Sequence, residues 1–424
     1  MSPVRPTATP RQQVEVVLDA DVLDAACRVG VLFHTAAHGR EVFSFRYDPA
    51  WLRHPDAFAI DPDLSLHGGE AYPSSANGAF RIFLDSAPDR WGRVLLERRE
   101  ILRARDEARR PRTLNEWDYL LGVHDMCRLG ALRFRLEENS TFLDDDARLS
   151  APPLATLREL EAASLALEAP ESEESPRFRE WLNALLAPGS SLGGARPKAN
   201  FTDTDQTLWI AKFPSRNDRR DIGAWEMVVH ELAVRAGLHV PSARLLELGG
   251  AYRTFACQRF DRRGTRRRFF VSAMTMLGRA DGEGGSYLDL AEFLSTRGSV
   301  RHRDEDLRQL WTRVVFNILT SNTDDHLRNH GYILEGDGWR LAPAYDMNAN
   351  PDGGPHALAI NERDQTADIA LALSTAGYYG LKPPEAQSIL TQVRSVVAQW
   401  STVAASLNFP RSEIARMTSA FTVE

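Results

Sequence analysis

One stretch restricts this chain more than any other, residues 310–329. Apolar residues at helical spacing over 310–319 predict a helix, and Gly331-Tyr332-Ile333-Leu334 reads as a strand leading away from it. The loop between them must hold Asp324, Asp325, His326 and Asn329 between a helix end and a strand start. A second acid, Asp346, follows in Ala344-Tyr345-Asp346-Met347-Asn348. Acids and a carboxamide gathered in this way make a candidate metal and nucleotide centre, because hard cations take oxygen ligands.

At 424 residues, 43% hydrophobic and 26% charged, the chain has material for two or three cores and the balance of a soluble globular protein. A formal charge of -7 argues against wholesale coating of nucleic acid, though not against a local basic face. Cys27, Cys127 and Cys257 lie far apart and form no ligand spacing, so neither a disulfide framework nor a zinc site is expected, and a reducing compartment fits. No stretch has the pattern of a signal peptide or a membrane span, which predicts a soluble, cytoplasmic protein.

In chain order, residues 14–18, 29–33 and 42–47 predict a small antiparallel sheet. Asp89 stands where it would cap a helix continuing through 94–99; this is favoured over a partner or nucleotide contact by Asp89, Arg90 and Arg93. Residues 113–132 read as a helix and loop, and the acidic segment 137–176 as a surface excursion with a helix near 154–167. Next comes Ser191-Leu192-Gly193-Gly194-Ala195-Arg196-Pro197-Lys198, whose glycine pair lets successive N–H groups converge on an anion, although a plain hairpin uses glycines the same way. Lys212, on a predicted strand with Ile210 and Phe213, has the reach to meet nucleotide phosphates; a snorkelling edge lysine is the bland alternative. A helix over 225–237 carries Glu226 in its first turns, as an ion-pair partner for Lys212 or as a helix-dipole acid. A hairpin around Gly249-Gly250 leads into Arg262, Arg263, Arg266, Arg267 and Arg268, read as a solvated turn in preference to a nucleic-acid contact. Helical spacing then dominates over 287–294, 307–319, 369–376, 384–399 and 410–421.

A catalytic carboxylate, an asparagine a few residues later and a metal-binding aspartate beyond a hairpin is the order in which protein kinases present their base and magnesium ligands. With a β-rich front and an α-rich back meeting near 258–260, the expected fold is α+β: a two-lobed protein-kinase-like fold with a β-rich N-terminal subdomain and an α-helical C-terminal lobe. The expected division is 1–110 for the N-terminal subdomain, 111–260 for the kinase N-lobe and 261–424 for the C-lobe. Three motifs in this order carry a resemblance: Ser191-Leu192-Gly193-Gly194-Ala195-Arg196-Pro197-Lys198, Asn322-Thr323-Asp324-Asp325-His326-Leu327-Arg328-Asn329 and Pro343-Ala344-Tyr345-Asp346. Over nearly its whole length the chain resembles the HipA family of serine/threonine kinases, the toxin halves of bacterial HipA/HipB toxin–antitoxin pairs.

The resemblance implies ATP and Mg²⁺ as cofactors, Asp324 as the base that takes the substrate hydroxyl proton, and Asn329 and Asp346 as the Mg²⁺ ligands. It places His326 as the residue orienting the loop, Lys212 on the phosphates with Glu226 as its partner, and Gly193, Gly194, Ala195 and Lys198 along the phosphate loop. Backbone groups of Gln258 and Phe260 would meet adenine, while Asp325 is left between a solvated neighbour and a participant. Ser191 matches the position of inhibitory autophosphorylation, where a phosphate adds about two negative charges in the path of the nucleotide phosphates. The implied partners are a HipB-like DNA-binding antitoxin, operator DNA through it, and a cytosolic protein substrate such as an aminoacyl-tRNA synthetase; no membrane is implied. Two residues depart from the family pattern: Arg328 replaces the usual lysine and Ser321 a common glycine. Two other readings stand beside this one. A catalytically silent repressor subunit would bind antitoxin and DNA through Arg262, Arg263, Arg266, Arg267 and Arg268, but intact Asp324, Asn329 and Asp346 count against it. The other is a nucleotidyl transferase on the same scaffold.

Overall fold

Val14, Val16 and Leu18 recur at a spacing of two and are fully buried, which makes Gln12–Leu18 a strand (β1) with one face in the core. The computed structural model, which describes residues 11–37, 40–75, 78–138, 140–145, 151–189 and 194–422, pairs β1 antiparallel with Cys27–Ala37 (β2). Arg40–Tyr47 (β3) and Glu70–Ala71 (β4) follow, and the five-stranded order is β4-β3-β2-β1-β5. The three predicted front strands are therefore present. The fifth strand, Leu132–Arg135 (β5), comes from further along the chain and pairs antiparallel with β1. Leu132 and Phe134 face inward, while Arg135 reaches Glu15 at 2.9 Å and Arg133 reaches Asp125 at 2.6 Å. Four residues were too few to be read as a strand.

As predicted, Asp89 caps the helix Arg90–Asp106 (α1), its carboxylate accepting from the Gly92 N–H at 2.8 Å. Trp91, Leu95 and Leu102 of α1 share one core with Leu157–Leu167 (α2), Phe178–Leu186 (α3) and the residues Phe201, Trp209, Ala211 and Phe213. The segment expected to be a surface excursion thus carries a wall of the core. Glu161 of α2 even points inward, accepting from Thr254 Oγ1 at 2.6 Å and the Gly250 N–H at 3.0 Å. The helix expected near 154–167 is present as α2, and what its acidic flanks hid is its place in the core.

That wall covers the second sheet: Lys198–Thr202 (β6), Leu208–Lys212 (β7), Ala243–Leu246 (β8) and Thr254–Gln258 (β9), all antiparallel in the order β6-β7-β9-β8. Against it lies Ile222–Arg235 (α4), capped by Asp221. A Cβ at Gly223 would sit 2.4 Å from the Arg253 carbonyl, so only glycine allows this approach of helix to strand.

Beyond β9 the expected solvated turn is corrected. Arg262–Arg263 (β10) and Arg266–Arg267 (β11) do form a hairpin, and Arg263 and Arg266 are exposed as expected, but Arg262 and Arg267 point inward. Buried Asp261 accepts from Arg259 Nη2 and Arg262 Nη1, both at 2.6 Å, and from the Gly130 N–H at 2.8 Å. Burial alone would raise the Asp261 carboxyl; Arg259 and Arg262 outweigh it and hold it far below the ordinary range. Arg267 pairs with Asp125 at 3.0 Å and Arg266 donates to the Leu23 carbonyl at 2.6 Å. Arg263 stays 64% exposed and Arg268 pairs with Glu335. The run ties the back of the molecule to the front sheet.

The helical back is threaded by Arg303–Leu319 (α6), which follows Tyr287–Arg297 (α5). Every residue of α6 from Leu310 to Leu319 is buried, and Trp311 Nε1 donates to the Ala372 carbonyl at 3.1 Å. A small sheet, Phe270–Ser272 (β12), Gly331–Glu335 (β13) and Gly338–Leu341 (β14), carries the chain between the two motif loops. Pro383–Val397 (α7) and two short helices close the core. Among the described residues no helix is long and apolar enough to cross a membrane. Asp261→Ala leaves two buried guanidinium groups without their counter-charge; chemical denaturation is expected to show a loss of about 3–5 kcal/mol.

Candidate active site

Helix α6 ends at Leu319 because Ser321 turns into left-handed backbone, φ 47°. That conformation explains why glycine suits the position, where the family pattern has one. The loop is then pinned to the segment after β14. Asn322 donates to Asn317 Oδ1 at 3.1 Å and accepts from the Asn348 N–H at 3.2 Å, while Asn350 Nδ2 meets Thr323 Oγ1 at 2.9 Å. The two motifs thus meet in space.

Asp324 and Asp325, adjacent in sequence, take opposite positions. Asp324 is exposed, and its carbonyl accepts from Asn329 Nδ2 at 3.0 Å. Asp325 is buried, neither solvated nor peripheral, which corrects one of its expected positions. One of its oxygens accepts from the Tyr287 hydroxyl, from Asn317 Nδ2 at 2.6 Å and from His330 Nε2 at 2.8 Å. Arg313 Nη1 lies 3.2 Å from His330 Nδ1; an arginine only donates, so His330 accepts there and gives its Nε2 proton to Asp325. Burial pushes the Asp325 carboxyl up, but His330, Tyr287 and Arg313 together hold it below its ordinary range. His326 is exposed, and the buried Asp325–His330 pair adds side-chain contacts that hold the loop. Reading by motif missed Tyr287, Asn317 and His330; the polar Asn317 and Arg313 inside an apolar helix were the available signal.

The front half of the site centres on Lys212. Its ammonium lies 2.5 Å from Glu226 Oε1 and 2.5 Å from Asp346 Oδ1, joining β7, α4 and the loop after β14. Burial would lower the lysine, yet Asp346 and Glu226 raise it above its ordinary value. Burial likewise would raise Asp346, but Lys212 holds it low; Glu226 stays raised by burial in spite of Lys212. Asp346 has positive φ, 56°, a left-handed backbone uncommon for a non-glycine residue.

The donors fit a hard divalent cation. Asn329 spends its amide hydrogens on Asp324, which leaves Oδ1 for a ligand, and Asp346 keeps Oδ2 beside the oxygen held by Lys212. No group of three or more His, Cys, Asp or Glu side chains suited to a metal occurs among the described residues, so such a cation would also need ligand or water oxygens.

The remaining predicted residues line the same side. Gly194 has φ +92° and Ala195 is exposed, while Arg196 pairs with Asp218 at the foot of the loop. Lys198 is buried, its ammonium 2.5 Å from Asp89 Oδ2 and 3.3 Å from the Gly194 carbonyl. Ser191 and Gly193 lie outside the described residues. At the hinge the Gln258 N–H is committed to the Ser242 carbonyl at 2.8 Å. The Phe260 ring packs on Tyr345 with centroids 5.2 Å apart, and Tyr345 donates to the Arg328 carbonyl at 2.7 Å, which ties Phe260 to the loops that carry Asp346 and Asp324. The Arg328 side chain turns outward to Asp281. Two grooves of about 570 and 610 Å³ lie elsewhere, one lined by Asp61, Phe293 and Arg297, the other by Leu102, Glu174 and Phe178, and no predicted site residue borders either.

A β-rich front, a helical back and a Lys–Glu pair facing a post-hairpin aspartate define a two-lobed, kinase-like protein. The family model for the HipA-like C-terminal domain matches residues 190–400, and that for the HipA N-terminal domain matches residues 20–116. The chain belongs to the HipA family. Its fold is similar to that in the complex of HipA, HipB and operator DNA of the Shewanella oneidensis MR-1 toxin–antitoxin system, at 19% identity and a TM-score of 0.66, covering 96% of this chain and 95% of that one. The Helicobacter pylori proinflammatory kinase CtkA aligns with 55% of this chain and 89% of its own, at 16% identity and a TM-score of 0.41. No curated protein matches the chain.

Asp325→Asn, which removes the charge facing Arg313, is expected to cost about 3–5 kcal/mol at pH 7. Because the folded carboxyl is held low, its contribution is present above the unfolded value of about 3.9 and fades as pH falls through the folded one. Urea titrations stepped down from pH 7 should show the gap between wild type and variant holding to about pH 4 and narrowing only below it.

Proposed function

We propose that the chain is an ATP- and Mg²⁺-dependent protein serine/threonine kinase that acts as the toxin of a toxin–antitoxin pair. The observation that carries this reading is Lys212, held between Glu226 and Asp346, on the same site as an exposed Asp324. Asp324 is free to take a proton from a substrate hydroxyl, being the one acid of the loop that its own network leaves outside. Lys212 offers a fixed positive charge to the nucleotide phosphates, and its two carboxylates keep it extended. Asn329 Oδ1 and Asp346 Oδ2 would hold Mg²⁺, which supplies charge neutralisation for the transferring phosphoryl group. The Gln258 carbonyl and Phe260 backbone are assigned to adenine.

Partners follow from the family and its structural neighbour. That neighbour is a complex with HipB and operator DNA, which supports a HipB-like antitoxin for this chain, with DNA reached through the antitoxin. Burial of Arg262 and Arg267 removes much of the basic run from any direct DNA contact, and so disfavours a silent DNA-binding subunit. The substrate is assigned to the cytosolic proteins, with aminoacyl-tRNA synthetases as the first class to test, and Ser191 to inhibitory autophosphorylation.

Asp324→Asn is expected to cut transfer of γ-labelled phosphate to protein by about 10²–10⁴-fold. Because Asp324 is exposed, the thermal unfolding of the variant should match wild type. Asp346→Asn should be equally inactive. Wild-type transfer by Asp324→Asn would overturn the assignment, and label arriving from α-labelled ATP would replace it with nucleotidyl transfer.

A further inference from the structure

We propose that Asp89 is a positioning residue for the nucleotide site: by neutralising Lys198 it fixes the Gly194–Lys198 end of the glycine loop to α1, so that the front half of the molecule sets nucleotide affinity. The ligand named rests on the kinase reading above. The brace itself does not.

The β6–β7 register sets Lys198 directly opposite Lys212. Directly opposed residues have Cβ atoms about 5 Å apart on one face, and like charges there destabilise the pair. Each lysine needs its own counter-ion. Lys212 has Glu226 and Asp346, on the side of the chemistry. Lys198, 1% exposed, has Asp89, which reaches it from 109 residues away. The same ammonium bonds the Gly194 carbonyl at 3.3 Å, so the charge pair also locates the end of the loop.

Helix α1 grips this strand a second time, through Trp91 Nε1, which donates to the Lys198 carbonyl at 3.1 Å. It also crowds the chain entering the loop. A Cβ on Gly189 would stand 2.6 Å from the Leu95 side chain and 3.2 Å from Trp91 Nε1. One helix therefore meets the chain at Gly189 and again at Lys198. Its other side is fixed to the front: Arg93 forms two bonds to Glu116 at 2.7 and 2.8 Å and stacks over Tyr119. Asp89 is rigid because its other oxygen caps the helix.

Without the Asp89 charge, Lys198 keeps Lys212 opposite it, and the nearby carboxylate of Asp346 becomes its strongest attraction. The ammonium then leaves Gly194, and the loop loses its fixed end. Asp89→Asn isolates this effect, since asparagine caps a helix as well as aspartate does. Calorimetric affinity for Mg·ATP should fall, and the KM for ATP rise, by about 10-fold or more, a scale typical of misplaced binding groups. The kcat should stay within about 2-fold of wild type, because loss of uniform binding raises KM alone. Without nucleotide, amides of residues 194–200 should exchange hydrogen faster.

The double variant Asp89→Asn/Lys198→Met removes the buried charge but also the ammonium that holds the Gly194 carbonyl, so exchange at 194–200 should be as fast as in Asp89→Asn. Unchanged affinity and exchange in Asp89→Asn would overturn the proposal. So would a double variant that regains wild-type protection at 194–200, since the Lys198 ammonium would then not be what holds the loop. Should wild type bind no Mg·ATP, the kinase reading alone falls; exchange at 194–200 then decides the brace, faster in Asp89→Asn if it exists and unchanged if it does not.

Discussion

The ammonium of Lys212 is the point on which the two halves of the molecule agree. It is 14 residues from Glu226 and 134 from Asp346, so it links a strand, a helix and the loop beyond a distant hairpin. Each contact is strong in isolation, about 4 kcal/mol at 4 Å for an effective dielectric of 20, but desolvation of buried charges offsets most of such a gain. Position is what the triad secures. One cation between two carboxylates also leaves one negative charge over, which on the proposed reading a divalent cation would offset.

Much of this was legible from residue order. Helices α4, α6 and α7 and the front strands follow from apolar periodicity, and Lys212, Glu226 and Asp346 from types and spacing that phosphoryl transfer requires. What was not legible depends on partners far away. Nothing local shows that Lys198 will meet Asp89, that Leu132–Arg135 will return to the first sheet, or that α2 will carry a buried acid to Thr254. A charge reads as solvated until its partner is known.

The arginine run makes that point in detail. Residues 126–130 form no regular ladder, so several of their carbonyls lack strand partners and need donors. Arg262 serves Met126, Arg128 and Gly130, and Arg259 serves Cys127 and Arg128, with Asp261 balancing both. A guanidinium suits this task because it offers five donors in a fixed plane, whereas a lysine would satisfy fewer carbonyls from one point. Arg262 and Arg267 of the run thus serve this turn while Arg263 and Arg266 stay at the surface, and local composition gives the same count for either use.

The two adjacent aspartates show how a buried residue governs an exposed one. The base proposed at Asp324 would have to be held within a fraction of an ångström of its working position, yet Asp324 has solvent around it and cannot be locked by packing. Its neighbour supplies the constraint. Asp325 is held by Tyr287 from α5, Asn317 from α6 and His330 at the start of β13, three elements that do not share a direction. A backbone fixed at Asp325 on one side and bonded through the Asp324 carbonyl to Asn329 has little freedom left between them. The exposed acid is free to exchange protons because the buried one has taken over the work of positioning.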